Sequence, residues 1–181
     1  MNIRLATISD AEGIAQVSVN SWKTTYKGII SDVFLNQLSV ERRKENWVLA
    51  LNHLKENDAT YVAEEQGTIR GFIKGGNCRE TDMAYEAEVY AIYLLEEDQG
   101  KGYGTLLFNR LVETLRSKPL NSLMVWVLER NPSIDFYKRL GGQFITKKEI
   151  KIGENIVTEV ALGWKDLSFF GQKQNEDDEI N

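Results

Sequence analysis

A single α/β domain of α+β type is the fold class the sequence predicts. It is built on a central mixed, mostly antiparallel sheet of about six or seven strands, with about four helices packed against it. Three observations carry this. Seven short runs alternate or are apolar throughout, as strands do. Four longer runs repeat their apolar residues every three or four positions, as helices do. Around Gly100–Gly104 the order strand, glycine turn, helix, strand is a βαβ crossover, which puts a parallel pair among hairpins. The chain of 181 residues suits one domain. It shows no repeat and no linker, so the domain is expected over residues 1–171.

The elements follow in order. Ile3–Thr7 alternates and reads as the first strand. Ser9 or Asp10 is placed to cap a helix whose face carries Ile14, Val17 and Trp22. Ser39–Asn57 reads as a second long helix, with Trp47, Ala50, Leu51 and Leu54 on one side. Thr60–Glu65, a Gln66-Gly67 turn and Thr68–Gly76 read as a hairpin. Ala87–Leu95 is apolar on both faces and should be a central, buried strand. After the glycines, Leu107, Leu111 and Leu115 with Phe108 make the inward stripe of a helix. Ser122–Leu128 is another apolar strand. Asn131–Gly142 reads as a short helix, with Asn131 as a cap, Pro132 in the first turn and Gly141 or Gly142 at its end. Gln143–Ile152 and Ile156–Trp164 close the sheet. The tail over residues 172–181 is polar and acidic and is expected to be disordered.

Charge and composition exclude several functions. The net charge is −5, and QKQNEDDEIN at the end holds four acids and one Lys. The tail therefore carries −4 + 1 = −3, which leaves −2 for the body. So neutral a body gives no electrostatic reason to bind nucleic acid. No apolar run is long enough for a membrane span, and the N-terminus lacks the apolar stretch of a signal peptide. Cys78 and His53 are the only cysteine and histidine. Together they cannot form a Cys/His zinc cluster, so no metal is expected. A lone cysteine suits a reducing, cytoplasmic setting. His53, within L-N-H-L-K-E-N, reads as an exposed helix residue.

The sharpest local signal is Glu96–Phe108, EEDQGKGYGTLLF, where Gly100, Gly102 and Gly104 fall at alternate positions before a helix. Bare backbone lets amide N–H groups converge on an anion at a helix N-terminus. A P-loop is excluded, because Lys101 is followed by Gly102 rather than Ser or Thr. A dinucleotide fingerprint also fails: counted from Gly100 the sixth position is Thr105, and from Gly102 it is Leu107. The form that fits is Q/R-x-x-G-x-G/A, read as Gln99-Gly100-Lys101-Gly102-Tyr103-Gly104.

That loop resembles the signature of the GCN5-related N-acetyltransferases, the GNAT superfamily. The strand Ala87–Leu95 leads into it as in the family. Asn131 and Tyr137 stand at the family's spacing after the next strand. SWKTTYKG (residues 21–28) and the closing ALGWKDL look like one branch of it. The resemblance covers most of the chain, and its specific part lies between Ala87 and Gly142.

Several expectations follow from the resemblance. The sheet should splay in its middle. Amides of Gln99, Gly100, Lys101, Gly102, Tyr103, Gly104 and Thr105 would cradle the pyrophosphate of coenzyme A. Ile92, Tyr93 and Leu94 would pair with the pantetheine arm, and Asn131 would touch that arm where the strands part. A bulge in the central strand would free an amide for the thioester oxygen. Tyr137 would bind the cofactor and protonate the leaving thiolate. Glu88, at the spacing of the catalytic Glu of histone-acetylating members, would be the base. By its position alone it equally reads as a carboxylate paired with a Lys or Arg, and many members use a water chain instead. Trp22 and Tyr26 would wall the acceptor site or belong to the core, while Asp82, Glu86 and Glu88 would bias one end of the strand negatively. The implied activity is acetyl transfer from acetyl-CoA to a primary amine, on a small molecule or a peptide. A non-catalytic acyl-CoA-binding sensor on the same fold is the alternative. Family members are often homodimers.

Overall fold

The computed structural model describes residues 1–168 and Phe170. The acidic tail expected over residues 172–181 lies outside the described residues. The sheet has seven strands in the order β1-β2-β3-β4-β5-β7-β6. These are β1 Asn2–Leu5, β2 Ala59–Glu65, β3 Thr68–Asn77, β4 Ala87–Leu94, β5 Leu123–Leu128, β6 Gln143–Ile152 and β7 Asn155–Trp164. Only the β4–β5 pair is parallel, as the crossover requires. Among the described residues the α-helices are α1 Ala11–Thr25, α2 Asp32–Asn36, α3 Val40–Asn52, α4 Tyr103–Ser117 and α5 Ile134–Arg139.

The helices divide between the two faces. α4 lays Leu107, Phe108, Leu111 and Leu115 against Ile73, Val89, Val125 and Leu162, and all four of these helix side chains are fully buried. Each contributes roughly 1.5–3 kcal/mol of transfer free energy. α1 and α3 cover the other face through Ile14, Val17 and Leu51 on Val62 and Phe72. A third, smaller cluster joins Tyr26, Ile30, Leu35 and Leu128 at the end of α1.

Local chemistry explains the boundaries. The β2–β3 hairpin turns on Gln66 (φ 49°) and Gly67 (φ 79°), two left-handed residues that match the strand twist. α3 is capped by the Ser39 hydroxyl, which accepts from Arg42 N–H at 3.2 Å. It stops at Asn52, short of the expected Asn57, because His53 leaves helical geometry at φ −121° and ψ 56°. The residues that follow return the chain to β2, so Leu54 leaves the helix stripe and is 48% exposed. His53 is exposed, as expected, but at the helix end.

α5 is shorter than Asn131–Gly142. The Asn131 Oδ1 accepts from Ser133 N–H at 2.9 Å, and this turn delays the helix start. Gly141 at φ 89° ends it, with Gly142 N–H returning to the Tyr137 carbonyl at 3.0 Å. Asp10 does sit at the N-cap of α1, but its side chain makes no cap bond there. It accepts instead from Arg4 Nη1 at 2.7 Å and from Thr7 N–H at 2.7 Å. α2 is absent from the sequence reading, since five residues are too few for a periodic signal.

Candidate active site

The site exists because β4 and β5 stop pairing. Their register runs Ala87↔Leu123, Glu88↔Met124 and Val89↔Val125, and ends there. β5 continues to Leu128 against β7. On the other side of β4, Lys74↔Ala91 is followed by Gly75↔Val89, so Tyr90 is an extra, bulged residue. Gly75 permits that bulge: a Cβ there would sit 2.7 Å from Leu111 and 2.8 Å from the Glu88 carbonyl oxygen. Beyond the bulge β4 is only half-buried, although both its faces are apolar in sequence.

The free edge carries usable amides. Leu95 N–H donates to the Arg70 carbonyl next to β3 at 2.9 Å. By strand alternation Tyr93 and Ala91 also turn toward β3, so Ile92 and Leu94 turn their backbone toward the gap. The Leu94 carbonyl confirms this, accepting from Ser21 Oγ at 2.9 Å and Gln99 Nε2 at 3.2 Å.

The gap opens into a cleft of about 580 Å³. Its strand walls are Val89–Leu94 of β4 and Val125–Val127 of β5. Thr24, Thr25 and Tyr26 close it from α1. Gln99, Gly100, Gly102, Gly104 and Thr105 line the loop end. Asn131, Phe136, Tyr137 and Arg139 come from α5 and the turn before it.

The three loop glycines do two different things. Gly100 (φ 72°) and Gly102 (φ 85°) are left-handed, and a Cβ on either would meet nothing within 4 Å. They are therefore needed for backbone conformation, and they leave open space outside the loop. Gly104 is a packing glycine, where a Cβ would lie 3.3 Å from the Phe136 ring. Gly102 caps α4 without a side chain, and the first bond within the helix is Leu106 N–H to Gly102 C=O at 3.1 Å. The N–H groups of Tyr103, Gly104 and Thr105 thus precede the first helical bond and point out of the N-terminus. This concave, donor-rich surface with bare backbone fits a pyrophosphate.

Three phenols, Tyr26, Tyr93 and Tyr137, line the cleft. Tyr26 and Tyr93 hydroxyls lie 3.4 Å apart. Burial pushes the Tyr137 pKa well above the ordinary value near 10, and Tyr93 adds to the effect. Burial likewise pushes up Tyr26, with Tyr93 adding to the rise and the Asn131 side chain opposing it. All three stay neutral proton donors at ordinary pH. Asn131 itself is 7% exposed.

The chain matches the model of the acetyltransferase (GNAT) family over residues 22–142. It belongs to that family. Acetyl-CoA is its co-substrate, and it is an acetyl-CoA-dependent N-acetyltransferase. The loop, the splay and the bulge expected of a GNAT protein are all in place. An uncharacterized N-acetyltransferase, YuaI of Bacillus subtilis, is 37% identical over 169 residues, 93% of this chain and 95% of YuaI. The spermidine N(1)-acetyltransferase of Thermoplasma acidophilum is 27% identical over 145 residues, 78% of this chain and 87% of that one. The crystal structure of the PaiA N-acetyltransferase of Thermoplasma acidophilum in complex with coenzyme A is similar at a TM-score of 0.66 and 24% identity, covering 87% and 96% of the two chains. No helix of the described residues is long and apolar enough to cross a membrane, and none of their His, Cys, Asp and Glu side chains group as metal ligands.

Against this GNAT frame, most expected site residues converge on the cleft and four do not line it. Lys101 turns to Asp98 at 3.3 Å, and Tyr103 is not among the lining residues. Trp22 stands behind Tyr26, its ring 4.8 Å from that phenol, so the pair is both core and wall. Glu88 is 1% exposed and held by Arg79, which donates from its backbone N–H at 3.1 Å, from Nε at 3.0 Å and from Nη2. Of the two positional readings of Glu88, the structure shows the ion pair, though in a buried place rather than a wet one. Of the three carboxylates expected to bias this end of the strand negatively, only Glu88 meets a cation among the described residues. Glu86 accepts from Asn121 N–H at 2.6 Å, and Asp82 is exposed in the loop before β4.

Sequence reasoning missed Thr24, Thr25, Phe136 and Arg139. Arg139 had a legible signal: it is a cation two positions after Tyr137, on a helix already placed beside the loop.

Proposed function

We propose that the protein acetylates a primary amine, on a small molecule or peptide, by direct transfer within the β4–β5 gap. The observation that carries this reading is the bulged, unpaired edge of β4 running into a glycine loop at a helix N-terminus. Amides of the Gln99–Thr105 loop hold the pyrophosphate, and the Arg139 guanidinium adds charge. The backbone of Ile92 and Leu94 holds the pantetheine arm as an added strand. Asn131 orients that arm where the strands diverge.

Acetyl-CoA supplies an acetyl group activated as a thioester. Ile92 N–H, the gap-facing amide nearest the bulge, is placed to stabilise negative charge developing on the thioester oxygen. Such a donor is worth about 3–4 kcal/mol. The acceptor amine, with a pKa near 10 for an alkylamine, must first lose a proton. Glu88 is committed to Arg79, so water in the cleft carries that proton to solvent. The new C–N bond then forms, the C–S bond breaks, Tyr137 gives its hydroxyl proton to the departing sulfur, and the second proton of the former amine passes through cleft water back to the Tyr137 oxygen. Its raised pKa keeps the proton available but makes this step uphill, so its contribution is moderate.

Calorimetry with acetyl-CoA, followed by thiol release with a panel of amines, tests this. Saturable binding and amine-dependent thiol release are expected. No binding at millimolar acetyl-CoA would overturn the assignment, and tight binding without release from any amine would favour the sensor reading.

A further inference from the structure

The glycine loop sits at the N-terminus of α4, on one face of the sheet, while α1 and α3 cover the other face. Away from the loop, the cleft wall includes Thr24, Thr25 and Tyr26 at the end of α1, and α3 packs on α1. The charges around the cleft are unequal. Glu88 is taken by Arg79, and both Glu80 and Glu159 are held by Lys148, at 2.9 Å and 3.5 Å. Arg43, on the first turns of α3, is the exception. It is half-buried, and among the described residues no carboxylate pairs with it. Its one side-chain partner is neutral: Nη1 donates to Ser18 Oγ at 2.9 Å.

The guanidinium stacks over Trp22, 4.9 Å from the ring centre. Trp22 packs on Tyr26, and Tyr26 and Tyr93 line the cleft. The Trp22 indole N–H is also buried without a hydrogen-bond partner. Burial holds the Arg43 pKa down, and only the Tyr93 and Tyr26 phenols oppose that. A half-buried cation without a counter-ion is a cost to the folded chain, relieved when an anion arrives. Here it stands beside a buried indole N–H and two phenol hydroxyls, and no carboxylate pairs with it among the described residues. A planar guanidinium of this kind matches a carboxylate.

We propose that Arg43 is the specificity-determining residue of the acceptor site, and that the acceptor is a primary amine which also carries a carboxylate. The proposal rests on the acetyl-transfer reading above. It predicts that the enzyme selects amino acids, α or ω, over the same amines with the carboxyl group capped.

The test sets L-phenylalanine, β-alanine and 4-aminobutyrate each against its carboxamide, with thiol release from acetyl-CoA as the readout. At least one acid is expected to exceed its amide in kcat/KM by about 10- to 100-fold, the range for a charge-assisted hydrogen bond. Arg43→Gln should erase that preference through KM of the acid, with the amide and the acetyl-CoA affinity unchanged. Arg43→Lys should keep part of it. Unchanged acetyl-CoA affinity also shows that the variants are folded, and the wild-type acid–amide comparison needs no variant. If wild type binds acetyl-CoA and turns over amides as well as acids, or Arg43→Gln lowers both alike, the carboxylate site is wrong while the acetyltransferase reading stands. If acetyl-CoA does not bind at all, both fall.

Discussion

The two halves of β4 make an instructive pair. Glu88 apart, the residues of both are apolar or aromatic in sequence. Ala87–Val89 pairs on both sides, with β3 and with β5, and is sealed under α4. Tyr90–Leu94 pairs only with β3, is half-buried, and begins with the bulge. The first half is a stability element and the second a binding edge. What separates them is one extra residue and the loss of a neighbour. Hydrophobicity cannot distinguish a strand that lines a cleft from one that fills a core, since an apolar side chain suits both.

In order of expected effect on turnover, four variants and one control sharpen the contrast. Gly102→Val, at the end of the open half, should lower acetyl-CoA affinity at least about 100-fold, because a branched side chain at φ 85° moves the loop amides. Gly67→Val carries similar strain at φ 79° in the distant β2–β3 turn and should bind acetyl-CoA as wild type does, as calorimetry on both will show. Equal losses would mean that strain, not the loop amides, decides.

Tyr137→Phe should lower kcat by up to about 100-fold while the acetyl-CoA dissociation constant stays level. Since burial lifts the Tyr137 pKa, the wild-type rate should rise with pH as the amine loses its proton and show no descending limb from Tyr137 below about pH 10. A limb near neutrality would assign the acid elsewhere.

Glu88→Gln, on the closed half, should cost less than about 10-fold in rate, because Glu88 acts on the site through position alone. Its pH–rate profile should run parallel to wild type. A loss that recovers as pH rises would restore Glu88 as the base. Leu111→Ala should leave kcat/KM unchanged well below the melting temperature yet cost about 2–5 kcal/mol of stability in denaturant unfolding. A loss of activity without loss of stability would mean that the closed half also sets the site.

Much of this was legible in local sequence. β6 was placed residue for residue and β7 to within one, since strong alternation needs no distant information. The glycine loop was legible because Gly100 and Gly102 are required by their own backbone angles. Arg43 was invisible for the opposite reason. A charged residue on a helix is ordinary until its surroundings show that, among the described residues, no carboxylate pairs with it.

The sequence by itself determined the element types, the parallel crossover and the loop. Each depends on residues close together in the chain, where propensity, periodicity and φ preference act. Tertiary structure alone decided where β4 leaves β5, although the two strands pair across more than thirty residues of chain. It also decided the fate of Glu88. The partner Arg79 lies in an irregular loop that no periodicity predicts, and only the folded loop brings that guanidinium onto the buried carboxylate before the cleft can use it.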